Sequence, residues 1–408
     1  MPGLNETPTS SRFRIAIVGR RNTGKSSILN ALTNQSVALV SEVAGTTTDP
    51  VSKSMELLPL GPVVFIDTAG IDDLGLLGEM RVKRTYEILH RINLVVLVLD
   101  GQFAPSEWEK KILTIIKEKN LPVVGVINKV DAPNYNSVKK KTWEEELGID
   151  LVEVSALTGR GIDDLKAALI RKASYADENR PLISDLINPG ELVILVVPID
   201  NAAPKGRLIL PQQQVIRELL DHQAIAVITG DNQLKPTLNN LKSQPALVVT
   251  DSQVFGPVST IIPLEIPLTS FSIIMARYKG DLKTLVKGAK AVTGLKPGDR
   301  VLIAEACTHH RQADDIGTVK IPRWLQKKVG GNLDFNWCAG FDFPPDLASY
   351  KLIIHCAGCM LSRREMLYRI SLATAEQLPI INYGVLIAYL HGILPRALLP
   401  FRELSHPL

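Results

Sequence analysis

The chain has 408 residues, of which 45% are hydrophobic, and its 46 basic and 42 acidic side chains give a formal net charge of +4. A chain of this length can form two or three domains that each bury a core, and we expect three. The near balance of charge excludes the broad basic surface by which nucleic-acid-binding proteins collect phosphates.

Neither end of the chain has the features of a membrane or secreted protein. Residues 1–12 lack the apolar core of a signal peptide and predict a short disordered tail. The most apolar stretch, residues 378–401, is interrupted by polar residues and Pro395, which favours a buried helix over a membrane span. We therefore expect a cytoplasmic protein with reduced thiols and no membrane partner.

Residues 13–174 alternate short apolar runs with longer amphipathic stretches. Runs such as RIAIVG, VVFID and LVVLVLD are continuously apolar, as expected for strands that are covered on both faces. This region predicts an α/β domain with a mostly parallel sheet. A polar segment containing a proline, residues 173–181, marks its end.

The rest of the chain predicts two smaller α/β domains. Residues 182–264 contain the strand-like runs LVILVVP, AIAVITG and ALVVTD, with the helical pattern QQQVIRELLDH between the first two. This domain has no glycine-rich phosphate loop and no cysteine, so we expect it to mediate association. A proline-punctuated stretch separates it from the third domain, residues 268–408, which contains all four cysteines of the chain.

A phosphate-binding loop directly follows the first predicted strand. Its sequence, GRRNTGKS, matches the pattern GxxxxGKS and leads into the helix SSILNALTN. The glycines let backbone N–H groups face phosphate oxygens, while Lys25 can reach the β and γ phosphates and Ser26 can bind Mg²⁺. The predicted nucleotide contacts in this loop are Gly19, Asn22, Thr23, Gly24, Lys25, Ser26 and Ser27.

Two later motifs also follow predicted strands. The first predicts the contacts with the metal and the γ phosphate, and the second predicts how the base is selected. In DTAG, Asp67 can hold the Mg²⁺ shell and the N–H of Gly70 can contact the γ phosphate. In NKVD, Asp131 can accept both hydrogen bonds from the guanine N1–H and exocyclic amine, which adenine cannot offer. The motifs therefore predict a GTP and GDP site, whose base-side residues are Asn128, Lys129, Asp131, Ser155 and Ala156.

These motifs, in this order over residues 13–172, resemble the translation-factor-like GTPases and, among them, the Era-type and tRNA-modification GTPases. The resemblance implies that residues 45–49, GTTTD, form the first switch, with Thr47 contacting Mg²⁺ and the γ phosphate. Ile71 stands where Ras-like proteins have a catalytic glutamine, so we expect slow intrinsic hydrolysis. The predicted catalytic residues are Lys25, Thr47, Asp67 and Gly70.

Asn22 matches the position that binds K⁺ in the potassium-activated GTPases of this group. A K⁺ ion near the β and γ phosphates could replace an arginine finger. The alternative, an asparagine that only stabilises the turn, stays open.

Cysteines and histidines follow two strand-like runs of the third domain. Cys307 and His309 follow RVLIAEA, and His355, Cys356 and Cys359 follow YKLII. If the two strands are neighbours, their carboxyl ends bring the thiols together. Three thiolates with one or two imidazoles suit Zn²⁺, or an iron–sulfur cluster whose fourth position is open or held by another group.

The order of domains and the CxH and HCxxC motifs resemble the family of [FeFe]-hydrogenase maturation GTPases (the HydF family), and the phrases ACTHH, DDIGTVKIP and NYGV strengthen the match. The resemblance implies a [4Fe–4S] cluster held by Cys307, Cys356 and Cys359. The candidates for the fourth ligand are His309, His355 and Glu305. Cys338 is not part of the family motif, and its interpretation as an inert thiol or as a further ligand stays open.

The same resemblance implies a scaffold or carrier. Such a protein receives the di-iron precursor of the hydrogenase active site from two radical-SAM maturases and delivers it to apo-[FeFe]-hydrogenase. The middle domain would form a homodimer, or a tetramer, and GTP would modulate the exchange of partners.

Two alternatives come from other classes of protein. One is an Era-like GTPase associated with the ribosome or tRNA and carrying a structural zinc site, against which the near-neutral charge counts. The other is a redox enzyme that uses the cluster for electron transfer, although no flavin or nicotinamide fingerprint accompanies it. Iron or zinc in the purified protein would separate the scaffold from the first alternative.

Overall fold

The computed structural model describes residues 12–33, 51–67, 89–176, 180–198, 208–306, 315–340, 343–356, 358 and 361–401. The chain divides into two compact units, residues 1–179 and 180–408. The three predicted domain ranges, 13–174, 182–264 and 268–408, stay predictions.

The first unit contains a six-stranded sheet in the order β2-β3-β1-β4-β5-β6. Among these described strands, β2 and β3 pair in antiparallel fashion and the other neighbours are parallel, so the predicted mostly parallel sheet is confirmed. The strands are β1 (Phe13–Val18), β2 (Val51–Leu57), β3 (Gly61–Asp67), β4 (Leu94–Asp100), β5 (Val123–Asn128) and β6 (Leu151–Glu153).

Helices cover this sheet on both faces. The central strand β4 has every residue buried, and its side chains alternate between two separate hydrophobic clusters, with Val96 in one and Leu97 in the other. Continuous apolar runs are therefore required here, because each face of the sheet packs against helices. The helices of this unit within the described residues are α1 (Lys25–Thr33), α2 (Glu107–Glu118), α3 (Val138–Leu147) and α4 (Ile162–Ala176).

The second unit contains two four-stranded sheets, both entirely parallel in the part of the chain that the structure describes. One has the order β10-β9-β7-β8 and the other β12-β11-β13-β14. The strands are β7 (Leu192–Val196), β8 (Ile225–Thr229), β9 (Leu247–Thr250), β10 (Leu268–Ser270), β11 (Arg300–Glu305), β12 (Asp334–Ala339), β13 (Leu352–His355) and β14 (Ile380–Asn382).

One hydrophobic cluster runs through both sheets of this unit and the helices between them. The helices of this unit within the described residues are α5 (Leu210–Asp221), α6 (Leu234–Asn240), α7 (Phe255–Ile261), α8 (Phe271–Lys279), α9 (Leu282–Thr293), a π-helix (Ile316–Lys320), α10 (Ile321–Val329), α11 (Arg363–Ala375), α12 (Tyr383–Leu390) and α13 (Leu394–Leu398).

The apolar stretch near the end of the chain contains β14, α12 and α13. Most of α12 is buried, and Asn382 caps its amino end by accepting a hydrogen bond from the N–H of Val385 at 2.9 Å. None of the helices within the described ranges is long and apolar enough to span a bilayer.

Gly288 of α9 lies directly against β14. An ideal Cβ at this position would be 2.2 Å from the carbonyl oxygen of Ile380, which is rigid backbone. Because overpacking a well-packed core costs about 1–3 kcal/mol, we predict that Gly288→Ala lowers the free energy of unfolding of the second unit by that amount. Urea titration followed by hydrogen-exchange mass spectrometry of peptides from this unit would measure the change.

Gly294→Ala is the matched control. Gly294 caps the same helix at a negative φ, and the nearest atom to its ideal Cβ is 3.5 Å away, within ordinary contact distance. An equal loss of stability in both variants would contradict the packing explanation.

Candidate functional site

The phosphate-binding loop connects the carboxyl end of β1 to the amino end of α1, as the sequence predicts. Asn22 and Gly24 adopt left-handed backbone conformations, with φ of 62° and 88°. A Cβ on Gly24 would be 2.2 Å from the side-chain nitrogen of Asn128, and a Cβ on Gly19 would be 2.6 Å from the carbonyl oxygen of Val98. Both glycines are therefore required by close approach of other groups.

Lys25 is held within this loop by backbone carbonyl groups. Its Nζ donates hydrogen bonds to the carbonyl oxygens of Gly19 at 2.8 Å and Arg20 at 2.7 Å. The side chain is only 8% exposed. The ammonium group thus lies at the loop that would receive the phosphates.

Ser26 and Asp67 form the candidate Mg²⁺ site. The hydroxyl of Ser26 donates to Oδ2 of Asp67 at 2.7 Å. Oδ1 of Asp67 is buried and has no hydrogen-bond partner among the described residues. A buried carboxylate oxygen without a donor is costly unless a cation neutralises it, and hydroxyl and carboxylate oxygens are ligands that Mg²⁺ prefers. These residues therefore fit the ion that accompanies GTP.

Asn128 joins the phosphate loop to the loop after β6. Its side chain donates to the carbonyl oxygen of Thr23 at 2.9 Å and accepts from the N–H of Ala156 at 3.1 Å. Ser155 is fully buried, and its N–H donates to the carbonyl oxygen of Arg160 at 2.9 Å. Both of these N–H groups have partners within the chain, so their predicted contact with the guanine oxygen stays a prediction.

The remaining base-side residues lie just after β5. Lys129 has a left-handed backbone, with φ of 63°, and its Nζ is 2.6 Å from Oδ2 of Asp100. Asp131 is exposed two residues later, where its carboxylate is accessible to a base. The structure thus brings the phosphate loop, NKVD and the loop after β6 to one edge of the sheet.

One contact of the phosphate loop could not be predicted from the sequence. Nε of Arg20 is 2.6 Å from Oε1 of Glu109, which is fully buried near the start of α2. Glu109 also forms the capping box of that helix with Ser106. The spacing S-x-x-E was a local signal for the cap, but nothing local indicated that the same carboxylate binds the phosphate loop.

The cysteine motif of the second unit follows a strand that pairs with β11. His355 is paired with Ala304 across β13 and β11, so these two strands are neighbours as the convergence of the thiols requires. The sulfur of Cys356 accepts hydrogen bonds from the N–H groups of Ala306 at 3.3 Å and Gly358 at 3.4 Å. Such bonds favour the thiolate form, which is the form that binds metals.

His355 is fully buried and both of its ring nitrogens have partners. Nδ1 is 2.7 Å from the carbonyl oxygen of Cys356, and Nε2 is 2.7 Å from Nη1 of Arg369. Burial, and then the charge of Arg369, lower the pKa of His355 to about 3. The ring is therefore neutral, donates from Nδ1 and accepts at Nε2, and it would have to lose a hydrogen bond to bind iron.

Glu305 ends β11, close to the predicted ligand Cys307 in the sequence. It is 3% exposed, and its Oε1 accepts a hydrogen bond from the hydroxyl of Tyr383 at 3.2 Å. A Cβ on Gly317 would be 2.6 Å from the same oxygen, so only glycine lets the π-helix approach it. Asp315 caps that π-helix through the N–H of Thr318 at 2.8 Å. These contacts give Asp315, Gly317 and Thr318 of the segment DDIGTVKIP a structural role.

Cys338 lies opposite Ala304 on the other side of β11, in β12. It is partly buried and forms no disulfide. Burial is the main cause of a raised pKa for this thiol, and the nearby charge of Arg369 acts in the opposite direction. Its interpretation as an inert thiol or as a further ligand stays a prediction.

Several predicted residues lie outside the described ranges. They are Thr47, Gly70, Cys307, His309 and Cys359. Among the residues that the structure does describe, no group of three or more histidine, cysteine, aspartate or glutamate side chains could hold a metal ion. The complete ligand set of the cluster therefore stays a prediction.

Two curated relatives each match about two fifths of the chain. The chain is 35% identical over 164 residues to the tRNA modification GTPase MnmE of Nitrosomonas europaea, covering 40% of this chain and 35% of that protein. It is 38% identical over 178 residues to GTPase Der of Helicobacter hepaticus, covering 41% of this chain and 36% of that protein. The chain thus spans little more than a third of the length of these relatives.

Solved structures show weaker similarity. The chain resembles a single-residue variant of Aquifex aeolicus Era bound to GDP·AlF4⁻ at 23% identity and a TM-score of 0.34, covering 53% of this chain and 92% of that one. It resembles the G domain of the T. maritima iron transporter FeoB at 24% identity and a TM-score of 0.32, covering 40% of this chain and 99% of that one.

Three family models match successive parts of the chain. Residues 14–129 match a 50S ribosome-binding GTPase model, residues 182–280 the hydrogen maturase F dimerization domain and residues 283–400 the hydrogen maturase F tetramerization domain. The GTPase motifs and the two maturase domains thus occur in one chain, in the order that the sequence predicted. The chain therefore belongs to the hydrogen maturase F (HydF) family of GTPases.

Proposed function

We propose that this protein is a cytoplasmic, GTP-hydrolysing scaffold that binds a [4Fe–4S] cluster and delivers a di-iron precursor to apo-[FeFe]-hydrogenase. The observation that carries the proposal is the environment of Cys356. Its sulfur accepts hydrogen bonds from two backbone N–H groups near the carboxyl ends of neighbouring parallel strands. One donor, Ala306, immediately precedes Cys307 in the sequence, so the two halves of the predicted ligand set start beside each other.

The proposed ligands are Cys307, Cys356 and Cys359. A cluster held by three thiolates keeps one iron whose remaining ligand can be exchanged, which a carrier requires. Glu305 and His309 are the better candidates for that fourth position, because His355 would have to lose a hydrogen bond at Nε2 or Nδ1 to bind iron. The carboxylate of Glu305 has further lone pairs besides the one that accepts from Tyr383. The two radical-SAM maturases that make the precursor, and the apo-hydrogenase that receives it, are the proposed partners.

Homodimerisation, or assembly to a tetramer, is proposed for the second unit. Strand β8 forms an edge of its sheet, and Ile225 and Ile228 on it are 51% and 48% exposed. Leu220, on the preceding helix α5, is 59% exposed. An apolar edge strand favours pairing with a second chain, and the matched dimerization domain contains this strand.

The proposed role of GTP is to modulate partner exchange. Lys25 and the loop N–H groups would bind the phosphates, Ser26, Asp67 and Thr47 would hold Mg²⁺, and Gly70 would contact the γ phosphate. Intrinsic hydrolysis is proposed to be slow, because Ile71 cannot orient water as a glutamine does.

The role of Asp131 can be tested with a change of base. In Asp131→Asn, one acceptor oxygen becomes an amide donor, which clashes with the guanine amine but complements the C2 carbonyl of xanthine. We predict that the affinity for GTP falls by about a hundredfold or more while that for XTP rises, as measured by fluorescent-nucleotide titration. Asp163→Asn, at an exposed carboxylate of α4, is the control. Unchanged GTP affinity in Asp131→Asn would refute the assignment.

The K⁺ site can be tested by exchanging salts. Asn22 is exposed in a left-handed conformation at the turn of the phosphate loop. If it helps hold K⁺ beside the phosphates, replacing K⁺ by Na⁺ should slow GTP hydrolysis by about tenfold or more, and Asn22→Ala should remove the difference between the salts. Equal rates in the two salts with the wild-type protein would leave Asn22 as a turn residue only.

The cluster is tested by metal and sulfide analysis with EPR on protein purified without oxygen. We predict about four irons per chain and a reduced-cluster signal, both lost or greatly reduced in Cys356→Ala. Cys338→Ala is the matched control and should keep the iron. One zinc per chain without an EPR signal would instead favour an Era-like GTPase with a structural zinc site.

A further inference from the structure

The end of α8 is hydrogen-bonded to the chain segment that carries the second half of the cysteine motif. Lys279, the last residue of α8, is only 4% exposed. Its Nζ donates hydrogen bonds to the carbonyl oxygens of Gly358 at 3.2 Å and Leu361 at 2.8 Å. In the sequence these two residues flank Cys359, and Gly358 also donates its N–H to the sulfur of Cys356.

A second pair of hydrogen bonds connects the same two segments, with its donor in the segment that held the acceptors of the first pair. Nη1 of Arg363, the first residue of α11, donates to the carbonyl oxygens of Tyr278 at 2.8 Å and Gly280 at 2.9 Å. Each cation therefore binds backbone carbonyl groups of the segment that contains the other cation. The start of α11 is fixed in turn by the capping box of Ser362 and Glu365.

Packing alone does not explain a lysine at this position. A buried ammonium loses its hydration, so it is tolerated only where hydrogen bonds or opposite charge replace the water. Lys279 meets this requirement through the carbonyl groups of a loop that bears two thiols. Thiolates in that loop would add the opposite charge.

These hydrogen bonds also connect two parts of the chain that match different family models. Lys279 lies at the end of the matched dimerization domain, whereas Gly358, Leu361 and Arg363 lie in the matched tetramerization domain. Movement of α8 would therefore act through these four hydrogen bonds on residues 356–362, the cysteine loop.

We propose that Lys279 is a positioning residue for the cysteine loop. It holds Gly358 and Leu361 in the arrangement that presents the N–H of Gly358 to Cys356, and it places a positive charge beside the loop. The loop-holding role stands without a metal, while the effect on a bound cluster rests on the function proposed above.

The first test uses the metal-free full-length protein. In Lys279→Met, we predict that amides of residues 356–362 exchange hydrogen faster, and that Cys356 is alkylated faster, by about tenfold, while the rest of the second unit is unchanged. Lys290→Met, at an exposed lysine of the next helix, should match the wild type. GTP hydrolysis, which depends on the other unit, should be unaltered in both variants.

The second test uses the protein reconstituted with iron and sulfide. Loss of a nearby positive charge disfavours the more negative, reduced cluster, so Lys279→Met should have a lower reduction potential. It should also lose iron to a chelator about tenfold faster, because the loop opens more often. Lys279→Arg, which keeps the charge and the donors, should restore both values toward those of the wild type.

The outcomes separate the two proposals. If wild-type protein takes up no cluster, the proposed function fails, and the exchange and alkylation measurements on the metal-free protein still decide the role of Lys279. Unchanged local exchange and alkylation in Lys279→Met would overturn that role. If Lys279→Met does not fold, the same measurements are made on Lys279→Gln, which keeps a donor without the charge, and wild-type values of exchange, alkylation and reduction potential in it would overturn the proposal.

Discussion

Buried cationic side chains that bind backbone carbonyl groups hold both candidate sites in place. Lys25 donates to the carbonyl oxygens of Gly19 and Arg20 in the phosphate loop, and Lys279 donates to those of Gly358 and Leu361 beside Cys356. A buried cation without such partners would be strongly destabilising, so each loop must keep a backbone arrangement that satisfies its lysine. The same charges then lie where anions, phosphates in one unit and thiolates in the other, are expected.

Parallel strands explain why the functional loops meet at all. Strands β1, β3 and β5 carry the phosphate loop, Asp67 and NKVD at their carboxyl ends. Strands β11 and β13 do the same for Glu305 and Cys356. Since neighbouring parallel strands end at one edge, residues that are far apart in sequence become neighbours there. The two units share this principle although only the first has a glycine-rich loop.

The sequence was sufficient for the features that leave a local pattern. Continuous apolar runs predicted strands such as β4, and the motif spacing predicted the strand–loop–helix around Lys25. The edge strand β2, whose sequence VSKSMEL alternates polar and apolar residues, had no such run. Contacts such as Arg20 with Glu109 could not be predicted, because they pair residues 89 positions apart and depend on how α2 packs. His355 stays a candidate ligand, and its contacts with Arg369 and a carbonyl group could not be predicted because they depend on the fold.

The contacts around His355 fix the chain on either side of the carboxyl end of β13, where the cysteine loop begins. Arg369 is almost fully buried, donates to His355 and to the carbonyl oxygen of Gly340, and stacks over Phe343 at 4.9 Å. It thereby connects the end of β13 to the chain after β12, just as Lys279 connects the next part of the loop to α8. A carrier needs an exchangeable position at the metal but a fixed set of thiolates, because a mobile ligand set would release the whole cluster with its cargo. In the proposed carrier, Lys279 on the loop backbone and Arg369 on His355 and Gly340 would hold the thiolates in place without occupying the position that must exchange.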